Sequence, residues 1–205
     1  MVGARLAAAL AAAIAVLALA GAAGGAPDAD PALASALQRG GLVLVLRHAA
    51  TDFSKPDQDP IVLSDCGTQR NLSADGRAEA RTIGRGVRRL KLRIGSVLAS
   101  PFCRTKETAR IAFGRFTVNM ALLNTIVAEH DARWRRQIRA ARRLLGTKPA
   151  PGTLTVLVTH GIVVQDMTGL TLEEGETLVF RPLGNSRFRL LGRILAGEWR
   201  TLRPA

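Results

Sequence analysis

The segment Leu42-Val43-Leu44-Val45-Leu46 is a continuous apolar run that stops abruptly at Arg47-His48. A strand with one wet face alternates apolar and polar residues. A run apolar on both sides instead requires burial on both faces, as in a parallel sheet covered by helices. Thr153 to Val158 (TLTVLV) is a second apolar strand, and it ends at Thr159-His160-Gly161. Two such strands, each delivering a histidine at its C-terminal end, constrain the chain to a layered α/β design.

The intervening segments supply the helices. Ser73 is placed as an N-cap with Asp75 in the first turn, and Ala80, Ile83, Val87 and Leu90 recur at helical spacing among arginines. Ile94 to Ala99 reads as a short strand. Ser100 as N-cap and Pro101 at the first helical position then predict a helix running to about Phe113, with Arg104 in its opening turn. Trp134, Ile138, Ala141 and Leu145 mark a third helix from about Asp131. Thr177 to Arg181 and Ser186 to Leu191 read as two closing strands joined by a turn at Pro182 to Asn185. The expected fold class is α/β, a three-layer α/β/α sandwich with a mostly parallel central sheet and helices on both faces. A chain of 205 residues, 47% hydrophobic, suits one core.

Residues 1–26 differ from the rest. Arg5 precedes an Ala/Leu/Val/Ile run from Leu6 to about Ala20, and small residues follow to Ala26, the pattern of a secretory signal peptide. The expected organisation is a signal peptide at 1–26, a linker and short helix at 27–40, and one catalytic domain at 41–205. No later segment is long and apolar enough to span a bilayer. The mature chain is therefore expected to be periplasmic or secreted, without a stable membrane span. An oxidising compartment allows Cys66 and Cys103 to form one disulfide; two separately buried thiols are the alternative.

Lys and Arg total 29 against 16 Asp and Glu, a net charge of +13 that favours anionic ligands. The arginines are spread through periodic segments rather than gathered in a tail, and only Trp134 and Trp199 offer large stacking surfaces. Nucleic acid is therefore not the expected partner. A small phosphorylated substrate is.

The long polar segment 50–72, with Pro56 and Pro60, is the expected functional loop. In open α/β sheets the ligand crevice lies at strand C-termini, where Arg47, His48 and His160 all fall. If Arg104 joins them, two guanidinium forks and a helix N-terminus surround an anion. Thr51, Ser54 and Asn71 are read as shaping the loop. Glu173, Glu174 and Glu176 are read as solvated turn residues, and His130 as a surface or cap residue.

Leu46-Arg47-His48-Ala49 resembles the Arg-His-Gly/Ala signature of the histidine phosphatase superfamily. Leu72 to Ala78 (LSADGRA), Ala99 to Ala109 (ASPFCRTKETA) and Val158 to Gly161 (VTHG) resemble three further segments of that family, in the same order. The resemblance, of the branch 1 type, implies a phosphoglycerate mutase-like fold. It implies that His48 is the nucleophile, forming a phosphohistidine, and that Arg47, Arg104 and His160 bind the phosphoryl oxygens. It requires no metal or organic cofactor. Protonated His160 would donate to the developing charge, and the two histidines are expected to titrate as a coupled pair.

The proton donor is expected between the second arginine and the second histidine, where Glu107 and Glu129 are the glutamates; Glu129 is the choice, with Asp52 and Asp131 as substitutes. The segment around Glu129 departs from the mutase pattern. The expected function is an exported phosphomonoester hydrolase. The alternatives are a non-catalytic phosphate-binding module of the same fold, a phosphomutase or a phosphohistidine phosphatase.

Overall fold

The computed structural model describes residues 31–125 and 132–204. The expected signal peptide, Glu129, His130 and Asp131 lie outside them.

Six strands form one sheet: β1 (Leu42–Arg47), β2 (Ile94–Ala99), β3 (Thr117–Val118), β4 (Leu154–Thr159), β5 (Thr177–Gly184) and β6 (Arg187–Ile194). Their order is β3-β2-β4-β1-β5-β6. The pairs β2–β3, β2–β4 and β1–β4 are parallel, whereas β1–β5 and β5–β6 are antiparallel. The sheet is thus mixed and mostly parallel. Among the described residues five α-helices flank it: α1 (Pro31–Arg39), α2 (Ala74–Arg89), α3 (Cys103–Phe113), α4 (Ala132–Gly146) and α5 (Gly161–Thr168).

The apolar run of β1 divides between two cores, as its two-residue period dictates. Leu42, Leu44 and Leu46 face one side with Ile83 and Val87 of α2, Ala109 and Ala112 of α3, and Leu33 and Leu37 of α1. Val43 and Val45 face the other with Ile138 and Leu145 of α4 and Val163 and Met167 of α5. This is a three-layer α/β/α sandwich, as expected.

Ser73 caps α2, its Oγ accepting from the Gly76 N–H at 3.0 Å. Gly76 is required there, because a Cβ would sit 1.9 Å from the carbonyl oxygen of Ala50. The N-terminus of α2 is thereby pressed against the chain just beyond His48.

One expectation is corrected. Ser100 is not a helix cap and Pro101 does not open a helix: α3 begins at Cys103, with Phe102 at the N-cap and no side-chain cap. The Ser100 hydroxyl points instead to a histidine, as described below. The strand Thr117–Val118 is too short to carry a readable pattern, and α5 was not anticipated because Gly161-Ile-Val-Val reads as strand or loop by propensity.

Candidate active site

Sheet register brings the chemistry together. β1 and β4 run parallel with Arg47 opposite Thr159, so the next residues, His48 and His160, lie side by side. The His48 N–H donates to the Thr159 carbonyl at 3.0 Å, and the imidazole centroids are 5.4 Å apart. β2 flanks β4 with Ala99 opposite Val158, which places Ser100 at the same edge. The Ser100 Oγ lies 2.8 Å from His160 Nε2.

A pocket of about 320 Å³ opens over these strand ends, lined among others by Arg47, His48, Arg70, Arg104 and His160. Arg104 enters from the first turn of α3 and is 1% exposed. Its guanidinium stacks 4.4 Å from the Phe102 ring centroid and donates through Nη1 to Asp57 Oδ1 (3.0 Å) and the Arg70 carbonyl (3.2 Å). Arg47 donates to the Leu172 carbonyl at 2.7 Å and to Glu174 Oε1 at 3.3 Å. The expected quartet of Arg47, His48, Arg104 and His160 therefore does converge.

Nδ1 of His48 lies 3.0 Å from the carbonyl oxygen of Ala49. A carbonyl only accepts, so Nδ1 carries the proton and Nε2 keeps its lone pair in the neutral ring. Burial is the main cause that holds the His48 pKa down at about 3, with Arg104, Arg47 and Arg70 adding to it and the Ala49 carbonyl opposing. His160 is pushed well below its ordinary value, first by burial and then by His48 and the same arginines. Both rings are thus neutral in the unliganded pocket at neutral pH. The protonated His160 expected as a donor to developing charge therefore needs a bound anion, since burial and the neighbouring arginines oppose its charge.

Besides Ser100, two further residues join the site without a signal in the sequence. Arg70 closes the loop segment 50–72, stacks 4.2 Å from the Phe53 ring centroid, and leaves its buried Nε without a hydrogen-bond partner. Its position ahead of Asn71-Leu72-Ser73 carried no signal of its own among 29 basic residues. Glu174, expected to be solvated, holds Arg47 and accepts from the Thr51 N–H at 3.0 Å and the Thr51 hydroxyl at 2.9 Å. Glu176 is also buried, accepting from Arg193 at 2.9 Å and from the Glu173 N–H.

Thr51, Ser54 and Asn71 do shape the loop: the Ser54 hydroxyl donates to Asp52, and the Asn71 side-chain amide donates to the carbonyls of Cys66 and Gln69. Glu107 is committed to Arg77 at 2.7 Å. Cys66 and Cys103 are bridged, which ties the loop to the residue before Arg104. Among the described residues no group of three or more His, Cys, Asp or Glu is arranged to hold a metal ion.

Residues 43–126 match the family described as histidine phosphatase superfamily (branch 1). No curated protein matches the chain. Similar solved structures include the product of open reading frame Rv3214 of Mycobacterium tuberculosis, at 18% identity and TM-score 0.55, covering 78% of this chain and 100% of that one. The protein histidine phosphatase SixA, solved with tungstate, is 17% identical at TM-score 0.50, covering 76% and 97%. A phosphoserine phosphatase of Entamoeba histolytica is 11% identical at TM-score 0.51, covering 77% and 98%. At these identities the likeness is one of fold. Residues 43–126 are thus similar in sequence to the histidine phosphatase superfamily (branch 1), and over about three quarters of its length the chain shares the fold of these solved structures.

Proposed function

We propose that the chain is an exported phosphomonoester hydrolase working through a phosphohistidine on His48. The observation that carries this reading is the Nδ1–H of His48 fixed on the Ala49 carbonyl, which leaves a neutral Nε2 in a pocket walled by three guanidinium groups. Nucleophilic imidazole and phosphate-binding forks are what transfer of a phosphoryl group from an ester needs.

Nε2 attacks phosphorus as the bond from phosphorus to the ester oxygen breaks. Arg47, Arg70 and Arg104 take up the charge on the equatorial oxygens, with His160 beside them at the N-terminus of α5. The dianionic phosphoryl group also adds negative charge beside the imidazole, so His160 becomes easier to protonate once substrate binds. The leaving oxygen takes a proton from the proposed donor, Glu129. Water then attacks the phosphohistidine, giving its proton to the Glu129 carboxylate. The nitrogen–phosphorus bond breaks, and free phosphate and neutral His48 are restored.

Asp52 is hydrogen-bonded to Ser54, and Glu107 is paired with Arg77, so neither competes well for the acid role. Export is supported by the composition of residues 1–26 and by the Cys66–Cys103 bridge, which an oxidising compartment preserves. Small phosphate esters outrank protein phosphohistidine as substrates outside the cytoplasm.

The test is phosphoenzyme trapping with an aryl phosphate. Wild type is expected to form an acid-labile phosphohistidine that His48→Ala lacks, while Glu129→Gln slows esters with poor leaving groups more than activated ones. Phosphate binding with no phosphoenzyme in the wild type would identify a non-catalytic anion-binding module. Full hydrolysis by His48→Ala would overturn the mechanism.

A further inference from the structure

Beside the phosphoryl pocket lies a second cleft of about 590 Å³, walled by Pro60, Ile61, Leu63, Phe102 and Leu123. The two cavities adjoin. Asn124 lines both, and Phe102, whose ring touches the second cleft, also packs edge-on against His160 at 5.0 Å and beneath the Arg104 guanidinium. A phosphoryl group held by Arg104 and His160 therefore has an apolar wall directly beside it.

The character of that wall contrasts with the pocket it adjoins. The phosphoryl pocket is lined by cations, whereas the charged groups at the cleft are the carboxylates Asp57 and Asp59. Asp57 is already engaged by Arg104, and Asp59 is exposed. A second phosphate or a carboxylate on the alcohol would meet these carboxylates with no cation to receive it. A sugar hydroxyl array could bond to Asp57, Gln58, Asp59 and Asn124, but its hydroxyls against Ile61, Leu63, Phe102 and Leu123 would find nothing to replace the lost water. A hydrocarbon chain or ring meets neither objection.

We infer that this cleft is the leaving-group site, and that the preferred substrates are phosphate monoesters of neutral, apolar alcohols. The inference rests on the phosphatase reading above and narrows it. The loop 50–72 supplies Ile61 and Leu63, and the Cys66–Cys103 bridge anchors that loop beside Phe102, so the cleft is built by the same loop that brings Arg70 to phosphate. Catalysis and selection share one covalently tethered segment. Ile162, 38% exposed on the wall of the phosphoryl pocket, extends the apolar surface at the mouth.

The test uses the full chain and non-hydrolysable n-alkylphosphonates, so that it reads the cleft without requiring turnover. Affinity measured by calorimetry is expected to rise from methyl- to hexylphosphonate, by roughly threefold to fourfold per buried methylene at the start of the series. Ile61→Asn and Leu63→Asn, which add polarity without charge, are each expected to flatten that rise while leaving methylphosphonate affinity within about twofold of wild type, a pattern that misfolding cannot mimic. Equal affinity for the two phosphonates, or a rise that both variants retain, would overturn the cleft assignment. Phosphate release from ethyl and hexyl phosphate, measured in parallel, separates the two levels. Hydrolysis with no chain-length preference removes this inference alone, whereas failure to bind either phosphonate together with failure to hydrolyse either ester removes the phosphatase reading as well.

Discussion

The Ser100 hydroxyl and the Nε2 of His160, sixty positions apart in sequence, lie 2.8 Å from each other at the adjoining ends of β2 and β4. Both residues are buried, so the hydroxyl meets a ring nitrogen that water does not reach. Ser100→Ala leaves that nitrogen unsatisfied at a cost of about 1–3 kcal/mol. The expected outcome is a fall in kcat of roughly tenfold with a native circular dichroism spectrum, checked by single-turnover kinetics.

Arg70 brings a charge to the pocket for which the substrate is the natural partner, since its Nε is buried without a hydrogen bond. Arg70→Ala is expected to weaken inorganic phosphate binding by about tenfold to a hundredfold, the usual loss for a charge-assisted hydrogen bond. Arg70→Lys should recover only part of this, because a point charge does not reproduce the fork. Calorimetric titration with phosphate reads both variants.

Glu174 holds Arg47 at 3.3 Å and the backbone and hydroxyl of Thr51 at 3.0 and 2.9 Å. Glu174→Ala releases all three donors. A stability loss of about 1–3 kcal/mol is expected in denaturant titration. The KM for an aryl phosphate should rise, because Arg47 loses the contact that fixes its fork; an unchanged KM would place Glu174 in a purely structural role.

The Cys66–Cys103 bridge closes a span of 37 positions. Replacing both cysteines by serine is expected to cost about 2–4 kcal/mol of stability. Because Cys103 precedes Arg104 and its N–H donates to Gln69 on the same loop, phosphate affinity should fall together with stability. Thiol titration of the unreduced, denatured protein is expected to find no free thiol.

Protonation of the buried histidines sets the acid limb. The folded pKa of His48 lies at about 3 against 6.5 for the ordinary group, and His160 is lowered in the same direction. Between these values the unfolded chain binds protons that the native one does not, so the contribution of these groups is fully present above about pH 6.5 and is lost as pH falls towards 3. Denaturation midpoints of the unliganded protein should decline through that window. His48→Gln should flatten the slope, and saturating phosphate should move the decline to lower pH by stabilising the native state.

How far the site was legible follows from the kind of signal each residue carries. His48 and Arg47 end a strand whose apolar run is unmistakable, and His160 ends another, so local pattern alone placed them at one edge of a sheet. Arg104 was legible through the segment around it, although the helix that carries it starts two residues later than the Ser-Pro pair suggests. Ser100 was read as a cap because Ser-Pro has that local preference, and a tertiary bond to His160 overrode it. Glu174 was read as solvated because a turn rich in glutamate and glycine is exposed by default. Its burial depends on Arg47, 127 positions earlier.

The chain's local pattern is enough for the layered α/β class, the strands read over 42–46 and 153–158 and the histidines that follow them. Those features follow from local hydrophobic period and from the abrupt change to polar residues. Tertiary structure alone decided the order β3-β2-β4-β1-β5-β6, the antiparallel edge, and the meeting of Arg70, Ser100 and Glu174 around the pair of histidines. The physical reason is that these contacts join residues tens of positions apart, so no local preference encodes them. They are selected when the two cores close on either face of β1 and the register of each strand is fixed by which side chains become buried.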